Sequence, residues 1–463
     1  MSIAYSLQRR RAGNWAPMWI LVPAVIGAAL AAAFVEYLIT HRAYDIWGGI
    51  LVSPPLILLT LPFLAREARR AGDHDIFRIF VIALIFRLVF GSALRYVITF
   101  KVLGGGDAGF YHHFGAILAD RFRTGDFHTA VASPKSYRLV EVITGGLYTV
   151  SGVTKYGGFV FFSWLSFIGY YLFYRAFRVA VPEGRSRRYA ILVFFLPSLV
   201  FWPSSIGKDA WMAFTLGIAA LGVAHALTGS MRRGLIQASA GMYLAGLIRP
   251  HIAGMVAIGL AVAFIAGRPP ERLRGTGSNL KPLIAVVILI VAGLFTWRAL
   301  GFVNHSLGTG KGLTSTLEAN AKKTAVGENS DFTPTLAVSP KGIPVAVFNV
   351  LFRPLLFEVN NVQSLLAAMQ NTALMAFIFF RWRWIVAAVR SCRRQPYVGF
   401  VIVYVGIAIV SFSSLANLGL LDRERQQILP FLIVLLCIPP FGLRDSAGGT
   451  ETSDLDREKV ESR

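Results

Sequence analysis

The residues best suited to chemistry begin at Asp107, which directly follows the three glycines Gly104–Gly106. Asp107, Tyr111, His112 and His113 fall within one stretch of seven residues. Glycines let the backbone turn sharply and approach a ligand closely, and a carboxylate can act as a general base. The pattern predicts that Asp107 lies at the mouth of a cavity. The alternative interpretation is a helix that stops at glycine beside an exposed acid.

Charged residues also collect in four short turns between apolar segments. The turns contain Lys208 and Asp209; Arg249 and His251; Arg353 and Glu358; and Asp422, Arg423, Glu424 and Arg425. The predicted topology puts all of them on the same side of a membrane as Asp107. Charges at membrane depth are costly and usually functional. Together these turns predict one site assembled from several loops.

Each of these turns also has a simpler interpretation. Asp209 could only complement a helix dipole, and Arg249 with His251 could snorkel to lipid headgroups. The run from Asp422 to Arg425 could be a solvated charge run. Arg353 and Glu358 lie in an apolar, aromatic context, where unpaired charges are expensive. They are expected near the site and could pair with each other.

Arg87 and Arg95 are eight residues apart in one apolar segment, so they share a helical face. Guanidinium groups bind phosphate through two parallel hydrogen bonds, so the two arginines fit a path for an anionic group such as a diphosphate. The alternative is structural pairing with an acid on another span. The candidate acids are Glu36, Glu141 and Glu358.

The composition predicts an all-α, polytopic membrane protein. The 463 residues are 55% apolar and 15% charged, and the mean hydropathy is +0.58, whereas about a quarter of the residues in a soluble protein are charged. Apolar length predicts about twelve transmembrane helices. They lie near residues 16–39, 46–65, 77–100, 156–177, 189–205, 210–228, 234–248, 251–267, 282–300, 363–380, 397–416 and 427–442.

The net charge of +22 is assigned to basic cytoplasmic loops that contact anionic membrane lipid, not to nucleic acid. This charge bias predicts cytoplasmic N- and C-termini in a bacterial inner (plasma) membrane. The predicted transmembrane domain covers residues 1–445, and residues 446–463 are predicted to be a disordered cytoplasmic tail. Two long outer loops are expected, at about 101–155 and 301–361.

The two outer loops are expected to differ in structure. Asp107–Phe122 is predicted to be a helix along the membrane surface. Its apolar face would contain Phe110, Phe114, Ile117, Leu118 and Phe122. Ser306–Pro344, rich in glycine, serine, threonine and lysine, is expected to be mobile. No metal site is predicted, because His112 and His113 are adjacent and point apart on a helix. No other cofactor is predicted.

An outer cavity with one acid, several arginines and a lysine, but no nucleotide-binding fold, suits a lipid-linked sugar donor. The polyprenyl tail can lie in the bilayer while the phosphate meets the cations. Asp107 would deprotonate an acceptor hydroxyl, and the cations would stabilise the departing phosphate. The residues predicted to bind the donor phosphate or substrate are Arg87, Arg95, Tyr111, His112, Lys208, Asp209, Arg249, His251, Arg353, Glu358, Arg423 and Arg425.

Three stretches resemble known membrane proteins. The stretch around Asp107 and Tyr111 looks like the first outer-loop acidic motif of the GT-C superfamily of integral membrane glycosyltransferases. Pro197–Asp209 is similar to a segment of bacterial polysaccharide-assembly proteins, and Leu351–Asn361 to a segment of actinobacterial membrane proteins of this type. The resemblance implies a GT-C-like fold, an inverting transferase, a polyprenyl-phosphate-linked sugar donor and a glycan or lipid acceptor. Because the acid follows the third predicted span, not the first, a related polysaccharide polymerase or ligase stays open.

Two other functions remain open at the level of sequence. One is a transporter or flippase for a lipid-linked or anionic solute, and the other is a structural subunit of an envelope complex. The collection of charged turns on one predicted side favours an enzyme, because alternating access needs gates on both sides.

Overall fold

The computed structural model describes residues 44–131, 137–267, 313–325 and 332–439, together with isolated helical positions at 36, 286, 290, 293 and 294. Over this part of the chain the long elements are helices and there is no strand, which confirms the all-α class. In chain order they are α1 (Tyr44–Ala71), α2 (Asp75–Val102), α3 (Gly106–Arg123), α4 (Arg138–Ser151), α5 (Lys155–Ala180), α6 (Ser186–Phe195), α7 (Pro197–Phe201), α8 (Lys208–Thr228), α9 (Met231–Gly246), α10 (Pro250–Ala266), α11 (Leu313–Thr324), α12 (Gly342–Phe352), α13 (Val362–Phe380), α14 (Trp382–Ser391), α15 (Pro396–Phe412), α16 (Leu418–Arg425) and α17 (Leu429–Leu436).

Five of the described helices, α1, α2, α5, α8 and α13, are long and apolar enough to cross a membrane. Helices α14 and α15 meet at 115° and would make a sixth span if they act together. A protein with several membrane-spanning helices is therefore supported. The predicted number of twelve spans and a GT-C-like arrangement are not confirmed. The predicted tail at 446–463 lies outside the described residues, as do nearly all of the predicted spans 16–39 and 282–300.

Some predicted spans are shorter or broken in the structure. The segment at 189–205 divides into α6 and α7, because Leu196 is extended (φ −62°, ψ 125°) before Pro197 and the residue before a proline disfavours helical geometry. Helices α9 and α10 have 16 and 17 residues, and α17 has 8. A span needs about 20 residues, so α9 and α10 are as short as their predicted segments and α17 is shorter than the predicted 427–442.

Helices α5, α8 and α9 form the centre of the bundle and pack through small residues. A Cβ added to Gly169 of α5 would lie 2.3 Å from the carbonyl oxygen of Ala213 in α8. A Cβ on Gly222 of α8 would lie 2.2 Å from the backbone nitrogen of Ala238 in α9. Membrane helices commonly associate in this way, because small side chains let their backbones approach closely.

The segment 101–155 folds into the helical pair α3 and α4. The predicted helix at Asp107–Phe122 is present, but a different face is buried. The buried residues of α3 are Ala108, Tyr111, Gly115, Leu118 and Ala119, whereas Phe110 is exposed. The reason is close packing, because a Cβ on Gly115 would lie 2.6 Å from the Thr144 side chain of α4.

The segment 301–361 contains α11 and α12. The described part of Ser306–Pro344 includes α11, which is bonded to the residues after α15, and the predicted mobility of this segment stays a prediction. Asn320 donates to the hydroxyl of Ser414 (2.8 Å), and the Ala416 backbone donates to the Thr324 hydroxyl (3.0 Å). These bonds hold α11 close to the start of α16.

Changing Gly169 to alanine should weaken the contact between α5 and α8. The new methyl would meet the backbone of α8, and overpacking of this kind costs about 1–3 kcal/mol. We expect a lower midpoint of thermal unfolding for the purified protein in detergent. The control is Gly146→Ala in α4, where a Cβ meets nothing within 4 Å and alanine favours the helix by up to about 1 kcal/mol. Equal midpoints for the two variants would contradict the packing.

Candidate functional site

A chain of alternating charges links four segments at one end of the bundle. The Arg423 Nε donates to Asp209 Oδ2 at 2.6 Å, and its Nη1 lies 3.6 Å from Asp107 Oδ2. Arg249 Nη2 lies 3.7 Å from Asp209 Oδ1, and Arg249 also forms an ion pair with Glu424. The structure thus brings together Asp107, Asp209, Arg249 and Arg423, which come from distant turns of the sequence.

Local structure explains how each charge reaches this position. Asp107 lies in the first turn of α3 and Asp209 in the first turn of α8. Arg249 immediately precedes α10, where Pro250 is well suited to the first helical position. Arg423 lies on α16, whose start is fixed because the Asn417 side chain accepts a hydrogen bond from the Leu420 backbone (3.0 Å).

The two aspartates have different environments. The side chain of Asp209 is 4% exposed and contacts two arginines, and no side chain caps α8. Asp209 therefore pairs with both arginines, and its position in the first turn of α8 also complements the helix dipole. The side chain of Asp107 is 44% exposed, so the buried carboxylate holds the two half-buried arginines while the Asp107 carboxylate is open to an incoming molecule.

Arg423 stays charged in this setting. The Asp209 carboxylate raises the pKa of Arg423 above its ordinary value, and this attraction outweighs the opposing effect of burial. The same guanidinium lies 3.6 Å from the Asp107 carboxylate. The pair therefore presents a carboxylate and a guanidinium side by side.

Lys208 adds a further cation beside an aromatic pair. Its Nζ lies 4.2 Å from the centre of the Tyr137 ring, which meets the Tyr111 ring edge-on at 5.3 Å. Burial and the nearby Asp107 charge raise the pKa of Tyr111, so the phenol stays neutral. The buried Tyr111 hydroxyl has no hydrogen-bond partner in the structure and can donate to a ligand that reaches it.

Arg95 lies at the border of the same site. Its guanidinium stacks on Phe201 at 4.6 Å and on Trp202 at 4.9 Å. Its Nε and Nη1 are buried and have no hydrogen-bond partner in the structure, and it interacts electrostatically with Arg423 and Asp209. Aromatic faces hold this cation in place while two of its nitrogens remain available.

Arg425 supports the site and does not face it. It is fully buried, and its Nε donates to the Val350 carbonyl at 2.7 Å. Its Nη1 donates to Asn371 Oδ1 at 2.6 Å, and its Nη2 donates to the carbonyl of Arg353. These bonds join α16 to α13 and to the end of α12, so the contacts of Arg425 are structural although the sequence placed it among the ligand-binding residues.

Arg353 and Glu358 form the mutual pair that the sequence left open. The Arg353 Nε donates to Glu358 Oε2 at 3.1 Å, and the same oxygen accepts the Leu355 backbone N–H at 2.9 Å. Arg353 also lies 4.2 Å from the Phe332 ring centre. The Arg353 carbonyl accepts a hydrogen bond from Arg425, which connects this pair to α16.

Arg87 is separate from the cluster, contrary to the shared path that was predicted with Arg95. It is fully buried, donates to the Ser166 hydroxyl at 2.9 Å and lies 4.7 Å from the Tyr170 ring centre. Within the described ranges it forms no ion pair with a carboxylate, so structural pairing with an acid is not observed either. Its partners are neutral residues of α5.

The two predicted histidines take different positions. His112 Nδ1 lies 2.9 Å from the Tyr148 hydroxyl, which joins α3 to α4, and burial lowers the pKa of His112. His251 is the second residue of α10 and neighbours Arg249 in the sequence. In the described structure neither histidine ring forms a hydrogen bond or ion pair with Asp107, so the histidines flank the site.

Two contributors were missed at the level of sequence. Trp202 donates from Nε1 to Asp422 Oδ2 at 2.8 Å, which ties the turn before α8 to α16. The position of Trp202 beside Pro203, in an otherwise apolar segment, could have indicated its role. Tyr137 supports Lys208, and nothing around it in the sequence distinguishes it from other tyrosines.

Among the residues that the structure describes, no group of three or more histidine, cysteine, aspartate or glutamate side chains could hold a metal ion. Comparisons with protein-family models, curated proteins and solved structures gave no match to this chain. The functional interpretation therefore depends on the geometry of the charged residues and on the sequence motifs.

Changing the buried Asp209 to asparagine should destabilise the fold, because it leaves the half-buried Arg423 and Arg249 without their shared carboxylate. Removing one partner of a buried pair costs about 3–5 kcal/mol. The control is Asp120→Asn in α3, because Asp120 pairs with Arg123 at an exposed position (side chain 76% exposed) where a pair contributes about 1 kcal/mol or less. The midpoint of thermal unfolding should fall strongly in Asp209→Asn and little in Asp120→Asn. Similar falls in the two variants would contradict the account.

Mild acid should destabilise the protein partly through His112. Burial lowers the pKa of His112 in the folded state. Below about pH 6.5 the unfolded state therefore binds more protons than the folded state, and stability decreases as the pH decreases. We expect the fall in the unfolding midpoint between pH 7.5 and 5.5 to be smaller in His112→Gln than in wild type. His128→Gln, at an exposed position, should keep the wild-type fall. An unchanged fall in His112→Gln would refute this role.

Proposed function

We propose that the protein is a membrane glycosyltransferase, or a related polysaccharide polymerase. It would transfer a sugar from a polyprenyl-phosphate-linked donor to a glycan or lipid acceptor on the outer face of a bacterial inner membrane. The observation that carries the proposal is an accessible carboxylate, Asp107, in a cluster that also contains Arg95, Lys208, Arg249 and Arg423. The resemblance of the Asp107 stretch to the GT-C acidic motif adds to it.

In this proposal, Asp107 is the general base. It takes the proton of an acceptor hydroxyl while the hydroxyl oxygen attacks the anomeric carbon of the donor. The bond from that carbon to the phosphate oxygen breaks, and negative charge develops on the polyprenyl phosphate. Attack from the face opposite the leaving group inverts the configuration. Arg423, 3.6 Å from the Asp107 carboxylate, would orient the base.

Lys208 and Arg95 are best placed to meet the phosphate. Arg423 and Arg249 are already engaged with carboxylates, whereas Lys208 and Arg95 form no ion pair in the described part of the chain. Both rest on aromatic rings, which hold a cation without neutralising it. An anionic group between them would compensate two charges that the protein leaves unpaired.

The membrane context supports a lipid-linked substrate. Five or six apolar helices could cross the bilayer, and the charge cluster includes the start of one of them, α8. A polyprenyl tail could remain in the hydrocarbon region while its phosphate reaches the cluster. The positive-inside bias of the sequence would put this end of the bundle outside the cell.

A transporter or flippase for a lipid-linked or anionic solute is the second candidate. Helix α2 has two π-helical turns, Arg87–Gly91 and Ile98–Val102, and the chain breaks between α6 and α7. Such irregular turns often occur at functional sites, and broken helices are common at transporter binding sites. A moving α2 would carry Arg95 into and out of the cluster.

Asp107→Asn should abolish sugar transfer and leave the protein folded. Loss of a general base typically costs about 10²–10⁴-fold in rate. The measurement is transfer of labelled sugar from a polyprenyl-phosphate donor pool in membranes that contain matched amounts of each protein. Asp120→Asn, on the same helix and exposed, is the matched control and should keep wild-type transfer.

Two results would contradict the enzyme. Transfer that is equal in wild type and Asp107→Asn would remove Asp107 as the base. If neither sample transfers sugar while lipid-linked sugar still crosses the bilayer in the wild type, the transporter would be favoured.

A further inference from the structure

A second cluster of arginines surrounds one tryptophan. The guanidinium carbon atoms of Arg185, Arg188 and Arg381 lie 5.0, 4.8 and 4.5 Å from the centre of a Trp384 ring. Arg185 and Arg188 lie at the start of α6, Arg381 joins α13 to α14, and Trp384 is on α14. These four residues are called the Trp384 cluster.

The Trp384 cluster lies away from the Asp107 site. Arg381 is ten residues further along the chain than Asn371, the α13 residue that binds Arg425. At a rise of about 1.5 Å per residue this separation is about 15 Å along the helix. Likewise, the chain runs from Arg188 through the rest of α6 and α7 to Trp202, which contacts α16. The cluster is therefore near the opposite end of these helices.

The positive charge of the cluster is not neutralised by nearby acids. In the described structure none of its three arginines forms an ion pair, whereas the neighbouring Arg187 is paired with Asp75 at 2.9 Å. Burial and repulsion from Arg381 and Arg185 lower the pKa of Arg188. The Arg188 Nη1 is buried and has no hydrogen-bond partner in the structure. Three like charges around one ring favour binding of an anion.

The nearest acid in the sequence is already engaged. The Glu183 side chain accepts a hydrogen bond from Gln395. Helix α6 begins directly after Arg185 and has no side-chain cap. The N-terminus of a helix attracts anions, so the backbone and the side chains here favour the same kind of ligand.

Helix α14 has the features of a helix at a membrane surface. It meets α15 at 115°, so it lies across the direction of that span. Trp382 and Val389 are exposed, whereas Trp384 and Ala388 are buried. A short amphipathic helix with arginine and exposed tryptophan is typical of the interface between lipid headgroups and acyl chains.

We propose that the Trp384 cluster binds the phosphate of an anionic membrane lipid. Arginine binds phosphate oxygens through two parallel hydrogen bonds, and the Trp384 ring holds the guanidinium groups in position. The exposed apolar side chains of α14 would contact the acyl chains, which favours a lipid over a soluble phosphate. This proposal is independent of the proposed sugar transfer at Asp107.

The test uses the full-length protein in neutral detergent. Phosphatidylglycerol, phosphatidylcholine or inorganic phosphate is titrated, and lipid binding is followed by native mass spectrometry and by the shift in the unfolding midpoint. The test variant is Arg188→Gln/Arg381→Gln. The control is Arg232→Gln/Arg233→Gln, which removes two exposed charges at the start of α9.

We expect wild type and the control to bind and be stabilised by phosphatidylglycerol, but not by phosphatidylcholine or by inorganic phosphate at the same concentration. The test variant should bind phosphatidylglycerol about 30-fold more weakly, since each arginine near a lipid surface contributes about 1 kcal/mol. If that variant does not fold, Arg185→Gln, with an exposed side chain, should weaken binding about fivefold.

Three results would overturn the proposal. Equal weakening in the control would mean diffuse attraction between charges. Equal binding of the two lipids would remove the role of the anionic headgroup. Full stabilisation by inorganic phosphate would make the site one for a soluble anion.

Discussion

The Asp107 site depends on one guanidinium group, that of Arg423, which lies between two carboxylates. Its bond to Asp209 fixes α16 to the start of α8, and its contact with Asp107 brings in the start of α3. Burying a charge is costly unless it is paired and hydrogen-bonded. Arg249 pairs with Asp209, and Glu424 pairs with Arg249. Charges that would oppose folding if they were unpaired therefore hold the segments together.

The same constraint explains what could be predicted from sequence. In a chain that is 15% charged, acids and bases in separate turns between apolar helices have few partners except each other. The amino-acid sequence alone was therefore enough to group Asp107, Asp209, Arg249 and Arg423. It was not enough to assign their individual pairings, because these depend on which helix ends meet.

The contacts of Arg87 and Arg425 could not be located from sequence, because neutral groups supply most of them. Arg87 interacts with Ser166 and Tyr170. Arg425 pairs with Asp422, but its other bonds are to backbone carbonyls and Asn371, which charge patterns could not locate. The buried face of α3 follows from close packing at Gly115, not from the large apolar side chains. Apolar length alone does not separate a spanning helix from a shorter packed one.

The central claim is that the Arg423–Asp209 pair organises the site, and a double-mutant cycle tests it most directly. Unfolding of wild type, Asp209→Asn, Arg423→Gln and the double variant would be measured in the same detergent. The account predicts a coupling energy of about 1–3 kcal/mol between the two positions. Effects that add to within about 0.5 kcal/mol would contradict it, because the two side chains would then act independently.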